Sequence, residues 1–282
     1  MANNKELYIW LIKKIVNHGY NIVKGKLSNI IQRNTSGSNK PLEKADIGAI
    51  RSKMFSYWQN TLNVNVKTCD IWFNDAFNYD LYKYVINKSI EIMGPLKGKK
   101  VLDLGCGWGT LSLLLMEEGA DITYIDRTSE HVEVTRDRLL GHGNGIVSSA
   151  TIIQTIDDNT FDFVFLNSVI EHVGNFNDDR GSAISSLDEK LLVLKEINRV
   201  LKPSGKAFLS TGNYNFPLDG EIKAWFFHWI PKEFQSEIID DMCIKADNYG
   251  LLTWEQLNSL CLKANMDIKH VTTHNADYFK NI

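Results

Sequence analysis

Residues 99–110 constrain the fold of this chain more than any other stretch. They begin with an apolar run at 100–104, which is typical of a buried parallel strand. Three glycines then alternate with other residues at Gly105, Gly107 and Gly109, and a helical pattern follows at once. Such a turn lets a ligand approach the backbone closely, and the free N–H groups of the helix start point towards it. The stretch therefore predicts a site of the nucleotide-binding type.

Two acidic residues indicate which kind of nucleotide this site binds. Asp103 stands two residues before the first glycine, where a carboxylate repels a pyrophosphate but attracts an ammonium or sulfonium group. Asp126 ends a second strand-like run, where a carboxylate can accept hydrogen bonds from both ribose hydroxyls. Position 110, where the dinucleotide fingerprint has its third glycine, is Thr. The pair of acids fits a cationic nucleoside such as S-adenosylmethionine better than NAD.

The strands and helices alternate from residue 99 onwards, which indicates a parallel sheet with helices on both faces. We predict strands at 100–104, 121–125, 145–149, 161–167, 206–211 and 266–272. We predict helices at 43–62, 78–93, 109–118, 129–140, 186–201 and 253–264. In such a fold the ligand lies at the carboxyl ends of the strands, where the glycine turn and Asp126 both fall.

Residues 97–211 resemble the class I S-adenosylmethionine-dependent methyltransferases. The landmarks occur in the family's order: Val-Leu-Asp-Leu-Gly-Cys-Gly-Trp-Gly at 101–109, Asp126, Asp-Asn-Thr-Phe-Asp-Phe-Val-Phe at 158–165, Ser-Val-Ile-Glu-His-Val at 168–173, and Arg-Val-Leu-Lys-Pro-Ser-Gly at 199–205. The resemblance implies an α/β fold with a doubly wound, mostly parallel, seven-stranded sheet of the Rossmann-like type. It also implies S-adenosylmethionine as the cofactor and S-adenosylhomocysteine as the product.

The resemblance implies a set of cofactor-binding residues at the ends of the first four strands. The set is Asp103, Gly105, Cys106, Gly107, Trp108, Gly109, Asp126, Arg127, Ala150, Thr151 and Asn167. Family members often carry Gly-Asp at the end of the third strand, but this chain has Ser149-Ala150 there. The backbone N–H of Thr151 then remains as the adenine contact. Cys106 is expected to be a small residue that fits the turn rather than a reactive thiol.

Glu171 and His172 are candidates for catalysis, because they follow the fourth strand. They resemble the Glu-x-x-Glu-His pattern of ubiquinone-type O-methyltransferases, which can hold a divalent metal. The first acid is Ser168 here, so we predict no metal site. His172 can act as a general base, and the alternative is that the pair shapes the cofactor pocket or caps the next helix. His228, in an aromatic run, is the rival base, and packing is its alternative role.

The sequence divides into an amphipathic basic helix at 1–32, a polar linker at 33–42, an aromatic-rich helical cap at 43–96 and a methyltransferase domain at 97–282. Residues 212–250 form a long aromatic insertion, which we interpret as a lid that binds the acceptor. Three roles remain open for the first helix: packing on the catalytic domain, peripheral membrane contact through residues 5–31, or binding a partner.

Composition and motifs limit the classes of molecule that this protein is expected to bind. The net charge is −3, and the Asn/Asp-Pro-Pro-Tyr motif of nucleic-acid amino-methyltransferases is missing, so we expect no nucleic acid. The four cysteines show neither metal-binding spacing nor the pattern of a secreted disulfide framework, so we expect a protein of the reducing cytoplasm that can also associate with the membrane. The expected reaction is methyl transfer, most simply to oxygen, on a small-molecule, glycan or lipid-precursor acceptor. The motifs encode neither the acceptor's identity nor the oligomeric state.

Three other functions stay open at this point. An N-methyltransferase would need no general base. A non-catalytic, methyltransferase-like partner subunit would bind the donor without turnover, or would not bind it. An NAD-dependent dehydrogenase is compatible with the fold alone.

Overall fold

The computed structural model describes residues 44–174, 186–216, 218–219, 224–225, 227–230 and 250–271. The helices are α1 Ile47–Asn60, α2 Val66–Ala76, α3 Tyr79–Met93, α4 Thr110–Glu117, α5 Ser129–Arg138, α6 Ser186–Val200 and α7 Trp254–Lys263. The strands are β1 Lys100–Leu104, β2 Asp121–Asp126, β3 Asn144–Val147, β4 Phe161–Asn167, β5 Leu201–Ser210, β6 Leu218–Asp219 and β7 Ala224–Trp225. The predicted N-terminal helix and linker, at 1–32 and 33–42, lie outside the described residues, as does most of the predicted lid.

Five strands form one parallel sheet in the order β3-β2-β1-β4-β5. The strand order reverses between β1 and β4, which are neighbours in the sheet although β2 and β3 lie between them in the chain. In open α/β sheets, this switch point is where ligands bind. The carboxyl ends of β1, β2 and β4 carry Gly105, Asp126 and Asn167, so three of the predicted site residues lie at one edge of the sheet.

The three central strands, β1, β2 and β4, are buried on both faces of the sheet, as their mostly apolar sequences predict. Leu102 and Val164 belong to a core cluster that also contains residues of α6 and α7. Val101 and Phe163, one residue earlier on the same strands, belong to a cluster with residues of α3 and α4. Alternate side chains therefore serve opposite layers, which confirms the predicted doubly wound α/β architecture.

The predicted strand at 266–272 is wrong for residues 266–271, which lie in no strand. Their alternation has another cause: Met266 and Ile268 pack against the core without pairing to the sheet, and Asp267 and Lys269 are exposed. The described residues contain the five-stranded sheet and the two-residue antiparallel pair of β6 with β7. The seven-strand count therefore stays a prediction.

Helices α1–α3, here called the cap, pack beside the sheet domain. The side chain of Asp46 accepts a hydrogen bond from the N–H of Ala49 and begins α1, and Asn65 caps α2 in the same way through Thr68. The sequence did not predict α2, which lies between the two helices expected in this region. Trp58 of α1 and Val134 of α5 share one buried cluster, which joins the cap to the sheet domain.

Within the part of the chain that the structure describes, no helix combines the length and the apolar character needed to cross a bilayer.

Candidate active site

The glycine turn has a backbone that glycine adopts more readily than other residues. Gly105, Gly107 and Gly109 have φ angles of +82°, +50° and +82°. A Cβ atom at Gly105 would stand 2.4 Å from Cγ2 of Val169, whereas a Cβ atom at Gly107 would meet nothing within 4 Å. The middle of the turn therefore faces open space, which suits close approach by a ligand.

Asp126 is tied directly to this turn. Its Oδ2 accepts a hydrogen bond of 3.0 Å from the N–H of Gly107, and its Oδ1 accepts one of 2.9 Å from the N–H of Thr128. Burial acts to raise the pKa of Asp126, but the contact with His131 and these two N–H groups outweigh it and lower the pKa. The carboxylate therefore stays charged, and each oxygen keeps capacity to accept another hydrogen bond.

Asp103 is an acid of a different kind. It is only 1% exposed, and the hydroxyl of Ser112 on α4 donates to its Oδ2 at 2.6 Å. Burial raises the pKa of Asp103 from 3.8 to about 7; the hydrogen bond from Ser112 opposes this rise, and the nearby charge of Asp126 adds to it. A buried carboxylate with this environment gains most from a cationic ligand, because such a ligand supplies the opposite charge.

Side chains of α5 brace the glycine turn from behind. Thr135 donates from Oγ1 to the carbonyl of Gly107 at 3.2 Å. Arg138, 1% exposed, donates from Nη1 to the carbonyl of Trp108 at 2.6 Å and to Oγ1 of Thr110 at 2.9 Å. Cys106 is also buried here, and burial raises the pKa of its thiol well above the usual value. The thiol is therefore protonated, in keeping with the packing role expected from the sequence.

The cap also reaches this turn. The Trp108 ring lies edge-on to Trp58, with centroids 5.2 Å apart, and edge-on to Tyr57 at 5.6 Å. The hydroxyl of Thr110 donates a hydrogen bond to the carbonyl of Ala76 at the end of α2. The glycine turn is thus held between α5 on one side and the cap on the other.

The remaining predicted cofactor residues lie at the ends of β2, β3 and β4. Asn167 accepts a hydrogen bond of 2.7 Å from Ser210, and Arg127 is exposed directly after β2. Ala150 packs against the core. The backbone N–H of Thr151 already donates to Oγ of Ser149 at 3.3 Å, so an adenine contact at Thr151 requires Ser149 to release it.

Glu171 and His172 lie in a short 3-10 helix, Ile170–His172, and differ in access to solvent. Glu171 is 1% exposed and accepts a hydrogen bond of 3.0 Å from Thr211. His172 is half-buried. This difference favours His172 as the proton acceptor and a supporting role for Glu171.

Lys190 of α6 holds this 3-10 helix in place. Its ammonium is buried and donates to the carbonyls of Ile170 at 2.7 Å and Val173 at 2.6 Å. Burial lowers the pKa of Lys190 to about 8, although the negative charges of Glu171 and Glu189 act against that change. Ser168, where the resembled pattern has its first acid, has a φ of +54°, so the chain turns sharply out of β4.

His228 lies in a second 3-10 helix, Phe227–Trp229. Its Nε2 is 2.9 Å from the carbonyl oxygen of Tyr214, and Nε1 of Trp229 donates to the same oxygen at 2.7 Å. The N–H of Tyr214 in turn donates to the carbonyl of Leu252. The backbone of Tyr214 therefore contacts both His228 and the chain just before α7.

The side chains that sequence reasoning missed are Ser112, His131 and Thr135, which contact the acids or the turn rather than form part of a motif. The sequence did contain one signal. The helix after each strand starts beside the carboxyl end of that strand, so polar residues in the first two turns of α4 and α5 can face the site.

The candidate site thus lies at the switch point of a parallel α/β sheet. Residues 102–209 match the family model described as a methyltransferase domain. Over this stretch the chain is similar to methyltransferase domains.

The chain is also similar to named enzymes and to a solved structure. Over 149 residues the chain is 34% identical to the ubiquinone biosynthesis O-methyltransferase of Idiomarina loihiensis, covering 49% of this chain and 53% of the relative. It is 27% identical over 207 residues to the enzyme of the same name from Haemophilus ducreyi, covering 65% and 77%. A solved S-adenosylmethionine-dependent methyltransferase from Methanosarcina mazei is 20% identical over 63% of this chain and 86% of its own, with a TM-score of 0.46. The match thus spans about half the length of the first of these relatives.

Proposed function

We propose that this protein transfers a methyl group from S-adenosylmethionine to an oxygen atom of a small-molecule acceptor. The observation that carries the proposal is an open glycine turn with two acids beside it: Asp126, whose Oδ2 accepts from the N–H of Gly107, and the buried Asp103. Two carboxylates at such a turn suit a ligand with positive charge. The names of the relatives, which are ubiquinone biosynthesis O-methyltransferases, support oxygen as the receiving atom.

The residues of the turn fit the proposed donor. Asp103 would attract its ammonium and sulfonium charges, Asp126 would accept from its ribose hydroxyls, and the open side of Gly107 would admit it close to the backbone. When bound, S-adenosylmethionine supplies a methyl group that its positively charged sulfur already activates. The protein then has to align the acceptor and exclude water, and to remove a proton if the acceptor is a hydroxyl.

The acceptor is proposed to be apolar, such as a lipid precursor. Tyr214 and Trp229 at the stem of the lid, and Trp254 at the start of α7, are all large and exposed. Aromatic rings at such a position suit an apolar or aromatic acceptor. On this proposal, residues 5–31 contact the membrane surface from the cytoplasmic side. These residues lie outside the described part of the chain.

The function is tested by incubating the purified protein with methyl-labelled S-adenosylmethionine and an extract of the source cells. We expect label in the organic phase after partition between organic and aqueous solvents. Label only in aqueous products would replace the lipid acceptor by a sugar or another polar metabolite. Donor binding without any label would favour the non-catalytic partner subunit, and binding of NAD instead of S-adenosylhomocysteine would favour a dehydrogenase.

Replacing Asp126 by alanine should weaken S-adenosylhomocysteine binding by about 1.5–3 kcal/mol, because charged hydrogen bonds have this strength. The dissociation constant is measured by calorimetry. Asp121→Ala removes an exposed carboxylate from the first residue of the same strand and serves as the matched control. Equal affinities for the two variants would contradict the ribose role of Asp126.

Replacing His172 by alanine should lower kcat by at least about 100-fold while the KM for the donor changes little, since a general base acts on the acceptor. His228→Ala tests the rival base, and His142→Ala, an exposed histidine before β3, is the control. A large loss of kcat only in His228→Ala would transfer the role to His228. Full activity in both variants would indicate an acceptor that needs no base, as in an N-methyltransferase.

A further inference from the structure

His131, in the first turn of α5, approaches the proposed ribose-binding acid. Its Nδ1 lies 3.1 Å from Oδ1 of Asp126. The same nitrogen is buried and has no hydrogen-bond partner of acceptable alignment among the described residues. Buried polar atoms in proteins are nearly always paired, so an unpaired ring nitrogen at a ligand site indicates a partner that the ligand supplies.

The imidazole is also fixed in position by its aromatic neighbours. The Trp108 ring stands edge-on to it with a centroid distance of 4.3 Å, and Tyr57 of the cap lies edge-on at 5.8 Å. Trp108 belongs to the glycine turn and Tyr57 to α1, so two separate elements limit the rotation of the ring. These ring contacts and the attraction of the carboxylate, 3.1 Å away, keep the nitrogen beside Asp126.

The chemistry of this corner suits a ribose diol. Both oxygens of Asp126 already accept one backbone N–H each, and each can accept one hydroxyl more. The imidazole nitrogen adds a further polar atom that can donate to, or accept from, a hydroxyl according to its tautomer. Two neighbouring hydroxyls can thus pair with the carboxylate and the ring nitrogen together.

We propose that His131 is a donor-binding residue, whose Nδ1 pairs with the ribose hydroxyls of S-adenosylmethionine beside Asp126. This inference rests on the proposed function, because it names one more contact of the same donor. Tyr57 and Trp108 act through His131, as positioning residues that hold its ring.

The test compares two variants of His131. Phenylalanine keeps the ring and its edge contacts but removes both nitrogens, whereas asparagine keeps a polar atom near the position of Nδ1. We expect His131→Phe to bind S-adenosylhomocysteine about tenfold more weakly, the effect of one hydrogen bond, and His131→Asn to recover most of that loss. The KM for the donor should rise in His131→Phe while kcat stays near the native value.

An altered ligand separates binding from packing. The 2′,3′-dideoxy analogue of S-adenosylhomocysteine lacks the diol, so native protein and His131→Phe should bind it with equal affinity. A tenfold difference that persists with this analogue would overturn the inference, as would equal binding of S-adenosylhomocysteine by the native protein and His131→Phe. Equally weak binding by both variants would overturn it too. If the native protein fails to bind S-adenosylhomocysteine, the proposed function fails together with the inference.

Discussion

Replacing Gly109 by alanine should lower the free energy of unfolding by roughly 2–4 kcal/mol. The loss has two causes, because alanine would have to adopt a left-handed backbone and its methyl group would overpack the site. Gly109 precedes α4 with a φ of +82°, and a Cβ atom there would stand 2.7 Å from Oγ1 and 3.0 Å from Cα of Thr135. The Cα atom is backbone, so α5 itself must shift. Since Thr135 also braces the carbonyl of Gly107, the shift should disturb the donor site as well.

Gly107→Ala is the matched control in the same turn. Its φ of +50° is also left-handed, but the space beside it is open. We expect it to lower the free energy of unfolding by only about 1 kcal/mol. Because the added methyl group enters the space proposed for the donor, it should still weaken S-adenosylhomocysteine binding. Urea denaturation measures stability and calorimetry measures affinity; equal stability losses in the two variants would contradict the role assigned to Thr135.

The sequence predicted best those elements whose hydrophobic pattern and end signals both lie within the element itself. The bounds predicted for β1 and β4, at 100–104 and 161–167, are confirmed, and each strand is mostly apolar. The glycine turn followed from spacing alone. β5 begins at Leu201 rather than at 206, since its first residues contain Lys, Pro, Ser and Gly, which do not resemble a strand.

Tertiary packing decided what the sequence did not predict. Residues 266–271 alternate like a strand, yet their apolar side chains are buried without any strand pairing. The difference in exposure between Glu171 and His172 depends on Lys190 and Thr211, which come from other elements. The approach of His131 to Asp126 likewise depends on how the start of α5 packs beside the end of β2. Contacts of this kind do not appear in a sequence motif, because they join residues that are distant in the chain and meet only in the folded structure.

Asp103 should make the stability of the ligand-free protein strongly dependent on pH. Burial raises the pKa of this carboxyl to about 7, whereas in the unfolded chain it stays near its usual value of about 4. Between these pH values the folded state binds more protons than the unfolded state, so the free energy of unfolding falls as the pH rises. Below about pH 4 both states are protonated at this carboxyl, and the penalty from Asp103 is absent; above about pH 7 it is fully present.

Asp103→Asn should remove this dependence, because an amide carries no charge at any of these pH values. A pKa difference of about three units corresponds to roughly 4 kcal/mol, which sets the upper limit for the gain in stability of the variant at pH 8. The gain should shrink as the pH falls from 7 towards 4. Thermal unfolding of the native protein and of Asp103→Asn across this range measures it, and the difference between the two curves cancels the other titrating groups.

Ligand binding should reverse the order of stability, so that the native protein becomes more stable than Asp103→Asn. A bound ligand with an ammonium group compensates the buried charge of Asp103, so S-adenosylhomocysteine should stabilise the native protein at pH 8 much more than Asp103→Asn. Ser112→Ala provides the comparison, because it removes the hydroxyl donor to Asp103 but leaves the carboxylate available to the ligand. A variant Asp103→Asn that is no more stable than the native protein at pH 8, yet binds the ligand equally well, would contradict this account. The expected result means that the protein keeps a carboxylate which destabilises its empty fold because the same charge attracts the donor.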